Sequence, residues 1–262
     1  MLKIRIATAV VALLLLAAVI FVAPGSVAKS IIALLVLAGA WEWSGFLGLS
    51  SDVRRGFYVI VIAALMAVSF FILPHYSDWL LRAASICWFA AFIWTFFFPT
   101  PIPLALRWLC GALVLVPLFV ALLKLYSFGV EVLAFVLLIV WAADIGAYFA
   151  GMQFGRVKLA PNISPGKTWE GVFGGLLAVA VLTVLWANWQ NLPIAVFLPF
   201  CLAVGALSIV GDLTISMFKR TAGLKDSGKL FPGHGGVLDR VDSVSAAAPL
   251  FALGLSWLGL VA

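Results

Sequence analysis

The sequence predicts an all-α, polytopic membrane protein, because its composition is too apolar for a soluble fold. Of its 262 residues, 65% are hydrophobic and only 10% are charged, and the mean hydropathy is +1.22. Soluble domains carry about 25% charged residues. Apolar runs follow one another along the chain, with no hydrophilic stretch long enough for a separate soluble domain. We therefore expect a single integral membrane domain over 1–262, in which the N-terminal helices of 1–130 precede the helices and polar loops of 131–262.

Nine transmembrane helices are expected from the spacing of the apolar runs. A spanning helix needs roughly 20 mainly apolar residues, and turn-forming residues separate the runs. The runs lie near 4–23, 28–48, 57–73, 79–98, 104–124, 128–151, 170–189, 193–217 and 244–261. The first run follows a basic start and precedes a small-residue "SVA", as in a signal peptide. However, the stretch from Ile6 to Ala23 is longer than the usual signal core of about 7 to 15 residues, so we expect a retained first helix.

The distribution of Lys and Arg predicts a cytoplasmic N-terminus. With nine spans, this orientation places 13 of the 16 Lys and Arg residues on the cytoplasmic side, in agreement with the positive-inside rule. Both long polar segments, 152–169 and 216–243, then face the cytoplasm. The net charge of +6 reflects topology and contact with anionic headgroups, and we expect no nucleic-acid partner.

Two aspartates lie inside predicted helices, where topology does not explain them. Asp144 is near the cytoplasmic end of the sixth helix, and Asp212 is at a similar depth in the eighth. A charge at the centre of a span costs roughly 2.5 to 3.5 kcal/mol, so such residues usually face a cavity and carry function. The structural alternative is a neutral aspartate bonded to a neighbouring helix. Two aspartates at matching depth, both leading into polar segments, favour the functional interpretation.

Polar side chains form one stripe where the eighth helix ends. Their spacing of i, i+4, i+7 and i+8 places a carboxylate, a hydroxyl and two cations on one helix face. The four residues are Asp212, Ser216, Lys219 and Arg220.

A second group of charges follows in the sequence "DRVD". Asp239 and Asp242 share one face if this segment is helical, and Arg240 lies beside them. Mg²⁺ prefers carboxylate oxygens and commonly takes one or two of them together with substrate phosphates. Lys and Arg near such a metal suit a polyphosphate. The stripe and this group together predict a site for a metal and a polyphosphate.

The segment between the two groups contains "PGHGG". Its glycines, including Gly235 and Gly236, either form an anion-binding nest or simply make a tight turn. His234 either donates a hydrogen bond to an oxyanion, acts as a base, or is a plain turn residue.

The first polar segment contains "GKT", which invites comparison with a phosphate-binding P-loop. That motif needs glycine where this chain has Pro161, and no strand precedes it, so we reject the motif. Lys167 and Thr168 are expected at the start of the seventh helix, whose N-terminus favours phosphate. Glu170 lies in the first turn and is interpreted as a cap of that helix. The glycines of "EGVFGG" can permit close helix contact within or between subunits.

The segment 216–243 resembles the signature of the phosphatidate cytidylyltransferases, or CDP-diacylglycerol synthases. The matching positions are Ser216, Lys219, Arg220, Lys225, Asp226, Gly228, Leu230 to Pro232, His234, Gly235, Gly236, Asp239, Arg240 and Asp242. The upstream stretches "DIGAYFAGMQFGR" and "LAPNISPGKTWEG" are also similar to that family, so the resemblance covers about 140 to 243. The first 130 residues match only as hydrophobic helices.

The resemblance implies that CTP and phosphatidate react to give CDP-diacylglycerol and pyrophosphate, with Mg²⁺, in phospholipid biosynthesis. It implies metal ligation by Asp212 and Asp239, at a site that a second cation such as K⁺ can share. It also implies a helical protein, usually a homodimer, in a bacterial-type cytoplasmic (inner) membrane with its site open to the cytoplasm. The catalytic helices and loops then lie in 131–262.

We assign the polar positions to two roles. Lys219 and Arg220 join Asp212 and Asp239 as catalytic groups. The substrate-binding groups are Asp144, Lys167, Ser216, Lys225, Asp226, His234, Gly235, Gly236, Arg240 and Asp242. The lipid phosphate is already an anion at pH 7, which argues against a proton-transfer role for His234.

Two other functions fit some of these residues. Another CTP-using membrane phosphotransferase, similar to a polyprenol kinase, would share metal and phosphate ligands without needing the full signature. A cation-coupled transporter would use Asp144 and Asp212. A transporter has no evident use for the long polar segment that follows the eighth helix.

Overall fold

The computed structural model describes residues 2–72, 77–230 and 235–259 and consists mainly of long helices. Within these ranges the α-helices are α1 Leu2–Phe21, α2 Gly25–Phe46, α3 Asp52–Ala67, α4 Ser77–Thr95, α5 Leu104–Phe128, α6 Val130–Phe154, α7 Trp169–Gln190, α8 Ile194–Thr221 and α9 Leu238–Trp257. A π-helical turn, Val68–Ile72, continues α3. Two short strands, β1 Lys158–Ala160 and β2 Ser164–Thr168, lie between α6 and α7.

Each apolar run of the sequence coincides with one α-helix, which confirms an α-helical, multi-pass membrane protein. Among the described residues, six helical segments are long and apolar enough to cross a membrane: α2, α3 with its π-helical turn, α5, α6, α7 and α8. The helices α1, α4 and α9 are not in that set. The number of nine spans and the cytoplasmic N-terminus therefore stay predictions.

The start of α9 differs from the prediction. The apolar run begins near residue 244, whereas α9 begins at Leu238 and includes Asp239 and Asp242. Counting apolar residues misses this first turn because it is charged. The turn is helical because main-chain and side-chain contacts from elsewhere in the chain stabilise it, as described below.

A small β-hairpin in the first polar segment was not predicted. β1 and β2 pair antiparallel, with Lys158 opposite Thr168 and Ala160 opposite Ser164. Ile163 at the turn is 1% exposed, and its carbonyl accepts a hydrogen bond from Arg220 at 3.2 Å. The strands are too short and too poor in β-branched residues to be recognised from sequence. Packing of the turn against α8 stabilises them.

The helices α6 and α7 pack closely through small residues. A Cβ atom built on Gly175 would lie 2.6 Å from the carbonyl oxygen of Ala143, and one on Gly146 would lie 2.8 Å from the carbonyl oxygen of Gly174. Such close approach requires glycine, as in other membrane helix pairs. The "EGVFGG" glycines thus serve a contact within one chain. This contact sets the position of Asp144 on α6 relative to β2.

The pair formed by α8 and α9 lies at the centre of the protein. α9 is buried on nearly every side because Ser243–Pro249 is composed mainly of small residues. α4 and α5 pack against α9, α4 and α7 pack against α8, and α2 contacts both members of the pair. The N-terminal helices therefore surround the helices that carry the polar stripe.

Candidate active site

The two polar segments meet at an ion pair. Lys167, near the end of β2, places its Nζ atom 2.6 Å from Oδ2 of Asp212 on α8. About a quarter of each side chain is exposed. The hairpin thus brings Lys167 from the first segment to the carboxylate at the start of the polar stripe.

A second ion pair joins α8 to α9. Nζ of Lys219 donates to Oδ1 of Asp239 at 2.8 Å, and both side chains are less than 10% exposed. Oδ2 of Asp239 accepts hydrogen bonds from the main-chain N–H groups of Ser227 and Gly236, each at 2.9 Å. Burial by itself would raise the pKa of Asp239, but Lys219 and the two main-chain donors hold that pKa below its usual range.

The four residues of the polar stripe on α8 do not all contact one another. Ser216 donates to Oδ1 of Asp212 at 3.1 Å, the contact that the i, i+4 spacing favours. Arg220 is exposed and donates to the main-chain oxygens of Ile163 and Leu224, at 3.2 and 3.1 Å. Arg220 therefore holds the hairpin turn and the turn that follows α8, beside the two ion pairs.

Two more aspartates and an arginine surround this centre. Asp144 is exposed on α6 and interacts electrostatically with Lys167, Asp212 and Arg240. Asp242 interacts electrostatically with Asp212 and with Asp144. The structure therefore places the carboxylates of α6, α8 and α9 around one region, with cations of both polar segments between them.

The segment after α8 contributes exposed charges and a required glycine. Lys225 and Asp226 are exposed in the turn before Ser227. Gly235 has a φ of +85°, and a Cβ atom there would lie 2.5 Å from Oδ2 of Asp239, so only glycine fits. His234 lies outside the described residues, and its role stays a prediction.

Sequence reasoning missed one residue that contacts this segment, Glu42 on α2. The side chain is 8% exposed, and its carboxylate accepts hydrogen bonds from the Ser227 hydroxyl and from the main-chain N–H groups of Val237 and Leu238. The available signal was a carboxylate in the apolar run "AGAWEWSGF", the same criterion that selected Asp144 and Asp212.

The whole chain matches one protein family. The sequence model described as "Cytidylyltransferase family" matches residues 3–258. This chain belongs to the cytidylyltransferase family. Two relatives named phosphatidate cytidylyltransferase match nearly end to end: that of Pseudomonas aeruginosa is 41% identical over 98% of this chain and 97% of the relative, and that of Haemophilus influenzae is 37% identical over 96% and 98%. A third, from Thermotoga maritima, is 42% identical over 47% of this chain and 48% of the relative.

The side-chain contacts at the first turn of α7 differ from those expected from the sequence. Thr168, not Glu170, caps the helix, because the Thr168 hydroxyl accepts the N–H of Gly171 at 3.1 Å. Both oxygens of Glu170 instead accept the N–H of Val157 at 3.2 Å. The N-cap residue is therefore Thr168, and the Glu170 carboxylate adds contacts with the first-turn N–H of Glu170 itself and with the N–H of Arg156. Glu170 ties α7 to the beginning of the hairpin.

The carboxylates of this cytidylyltransferase-family site suit a hard cation. Asp212 and Asp239 each keep acceptor capacity beyond their lysine and hydrogen-bond partners. Across 2–72, 77–230 and 235–259, no group of three or more His, Cys, Asp or Glu residues is arranged to hold a metal. Mg²⁺ commonly takes only one or two protein carboxylates and completes its shell with water and phosphate oxygens. Asp212 and Asp239 are therefore of the residue type that could hold Mg²⁺ together with a polyphosphate, and the metal site stays a prediction.

Proposed function

We propose that this chain is a phosphatidate cytidylyltransferase, which converts CTP and phosphatidate into CDP-diacylglycerol and pyrophosphate. The observation that carries the proposal is the meeting of both signature-like segments at the Lys167–Asp212 and Lys219–Asp239 ion pairs. The end-to-end similarity to two proteins of that name supports the same reaction.

The reaction needs little covalent chemistry from the protein. A phosphate oxygen of phosphatidate attacks the α-phosphorus of CTP, and an O–P bond forms. The bond from the α-phosphorus to the oxygen that bridges to the β-phosphorus breaks, and its electron pair leaves with pyrophosphate. No proton has to be removed, since the nucleophile is an anion at neutral pH. The protein must therefore position two anions that repel each other and neutralise the charge of the leaving group.

The position of each cation in the site indicates which of the two anions it can bind. Lys167 and Lys219 are held by aspartates and can turn to phosphate oxygens when CTP arrives. Arg220 lies beside them and carries two main-chain contacts, so it orients the hairpin and adds positive charge. Arg240 and Lys225 are exposed at the same end of α8 and α9, where they add positive charge for the second anion.

Asp212 and Asp239 are the residues that would hold Mg²⁺. The ion would supply charge neutralisation at the pyrophosphate leaving group, and K⁺ is proposed as a second cation at the same carboxylates. Asp144, which interacts electrostatically with Asp212, adds to the negative charge that attracts cations to this region.

The setting of the reaction is also part of the proposal. The excess of Lys and Arg on one side, with nine spans, supports a site that faces the cytoplasm from a bacterial inner membrane. Water-soluble CTP would reach the polar segments from that side, and phosphatidate would come from the bilayer. A homodimer is proposed from the family resemblance.

The two alternatives are less well supported. A polyprenol kinase-like enzyme and a cation-coupled transporter would each account for the intramembrane aspartates. Neither accounts for the match of residues 3–258 to the cytidylyltransferase family.

One assay tests the proposed reaction directly. The detergent-purified protein is incubated with phosphatidate, Mg²⁺ and CTP labelled in the cytidine, and the lipid fraction is examined for label. We expect labelled CDP-diacylglycerol and an equal amount of pyrophosphate. Folded protein that transfers no label with several acyl-chain compositions would refute the proposal. Transfer of the γ-phosphate, seen as label in the lipid from γ-labelled CTP together with release of CDP, would instead indicate a kinase.

A further inference from the structure

The buried carboxylate of Glu42 contacts the active-site segment from a distant part of the chain. We propose that Glu42 is a positioning residue, whose carboxylate holds Ser227 and the start of α9 so that Asp239 faces the substrates. The inference rests on the proposed function, because positioning matters only if Asp239 takes part in the reaction. Its structural part, the contact itself, can be tested separately.

The first step of the argument is the capping of α9. The first N–H groups of a helix have no partner within the helix, and no side chain of the adjoining sequence caps α9. Oε1 of Glu42 accepts the N–H of Val237 at 2.8 Å, and Oε2 accepts the N–H of Leu238 at 2.9 Å. A negative charge also stabilises the positive end of a helix. Glu42 therefore caps α9 from another helix.

The second step is the link to Asp239. Oε2 of Glu42 also accepts the hydroxyl of Ser227 at 2.8 Å, while the main-chain N–H of Ser227 donates to Asp239. Asp239 binds Gly236, next to Val237, in the same way. The carboxylates of Glu42 and Asp239 thus both bind Ser227, before 228–235, and both bind main-chain groups of 236–238, after it. A shift of Glu42 would move the donors that orient Asp239, and with them its ion pair to Lys219.

The third step is the fit of the segment around Glu42. A Cβ atom on Gly228 or on Gly236 would overlap the Glu42 carboxylate. Glycine at both positions lets the main chain approach that carboxylate from two sides. If Glu42 only anchored α2 in the helix bundle, glycine would not be needed at positions 228 and 236. The contacts are directed to the segment that carries Asp239.

The test replaces Glu42 by glutamine, which keeps the size but presents an NH₂ group to main-chain donors. Glu131→Gln is the matched control, since Glu131 is an exposed carboxylate in the first turn of α6. Hydrogen–deuterium exchange of the Val237 and Leu238 amides reports their contact with Glu42, and exchange of the Ser227 amide reports its hydrogen bond to Asp239. The kcat and KM for CTP report its effect on the reaction.

We expect faster exchange at these three amides in Glu42→Gln, without faster exchange in α5 or α7. We also expect kcat to fall by about 10- to 100-fold, the range seen when groups that orient active-site ligands are removed. Glu131→Gln should show neither change. Ser227→Ala removes one of the three hydrogen bonds to Glu42, so a smaller loss of kcat is expected, and this variant serves if Glu42→Gln does not insert.

Each other outcome counts against the proposal. Unchanged exchange at the three amides would refute the contact. Faster exchange with unchanged kcat would show that Glu42 supports the fold without positioning Asp239. If the unmodified protein makes no CDP-diacylglycerol, the proposed function fails, and the exchange measurement still decides whether Glu42 holds the segment.

Discussion

Two arginines among the N-terminal helices α1–α5 and two lysines of the C-terminal region α6–α9 have different kinds of partner. In the N-terminal region, Arg55 donates to the main-chain oxygen of Leu49 at 3.0 Å, and Arg107 donates to those of Ile102 and Phe46 at 2.9 and 3.1 Å. These contacts satisfy carbonyl groups at helix ends and in connecting turns, which lack helical partners. Arg55 and Arg107 therefore stabilise the fold.

In the C-terminal region the lysines are bound to carboxylates. Lys167 pairs with Asp212 and Lys219 pairs with Asp239. An anionic substrate that arrives with a metal ion can exchange both partners at once, since the cation replaces the lysine on the carboxylate and the phosphate replaces the carboxylate on the lysine. The comparison teaches that a carboxylate partner makes a cation exchangeable, whereas the position of the ion pair decides whether that exchange can serve the site.

One ion pair makes the comparison experimentally useful. Lys124 on α5 pairs with Asp78 on α4, in the N-terminal region. By the proposed topology this pair lies on the external side, away from the site. It has the same chemistry as the two site pairs and provides matched controls for them.

The largest effect is expected from Asp239→Asn. The change replaces the carboxylate that pairs with the buried ammonium of Lys219 by a neutral amide, and it removes a proposed metal ligand. Turnover of CTP should fall by at least about 100-fold, as when groups that stabilise developing charge are removed. The measurement is label transfer from CTP to lipid, with the amount of folded protein checked by size-exclusion chromatography. Asp78→Asn should keep most of the activity, and equal losses in both variants would contradict the distinction.

The next largest effect is expected from Lys167→Gln. Lys167 and Asp212 are each about a quarter exposed, so solvent screening makes their pair weaker than the Lys219–Asp239 pair. We expect kcat/KM for CTP to fall about tenfold, mainly through KM, because a phosphate-binding cation is lost. Lys124→Gln is the matched change. A loss of activity in the control as large as in Lys167→Gln would show that both lysines act through the fold.

A third prediction compares two crowded glycines. A Cβ atom on Gly236 would overlap Glu42, and one on Gly111 in α5 would overlap the hydroxyl of Tyr58. Overpacking of this kind typically costs about 1–3 kcal/mol of stability, so both Gly→Ala variants should have a lower Tm. Only Gly236→Ala should also lower kcat per folded molecule, because only Gly236 adjoins Asp239. A Gly111→Ala enzyme with an equally low kcat would remove the contrast between the regions.

The smallest effect is expected from Glu170→Gln. The amide oxygen of glutamine can still accept the N–H of Val157, so the tie between α7 and the hairpin is weakened and not lost. We expect activity within about threefold of the unmodified protein, since one exposed hydrogen bond contributes little. A loss as large as that of Lys167→Gln would place Glu170 among the substrate-binding residues.

Local reasoning from sequence worked where the determining contact is close along the chain. The contact of Ser216 with Asp212 follows from helical spacing, and α7 begins directly after Lys167 and Thr168, where its start was expected. The helices themselves follow from apolar runs, because a membrane leaves no other way to satisfy their main-chain groups. The same local reasoning assigned the cap to Glu170, where the neighbouring hydroxyl was the better partner.

Contacts between distant segments were not predictable in this way. Glu42 lies 195 residues before Val237, and nothing in its own run indicates which segment it meets. The hairpin likewise depends on Arg220, which lies 57 residues after Ile163. In both cases the partner is chosen by the packing of helices.

The sequence by itself therefore determined an α-helical membrane protein and which segments hold its clustered polar residues. Composition and periodicity suffice for this, because the cost of placing charges among apolar helices makes each polar group informative. Only the tertiary structure decided which charges meet: Lys167 with Asp212, Lys219 with Asp239, and Glu42 with the start of α9. The physical reason is that these pairs form between separate elements, and their geometry depends on how α2, α8, α9 and the hairpin pack together.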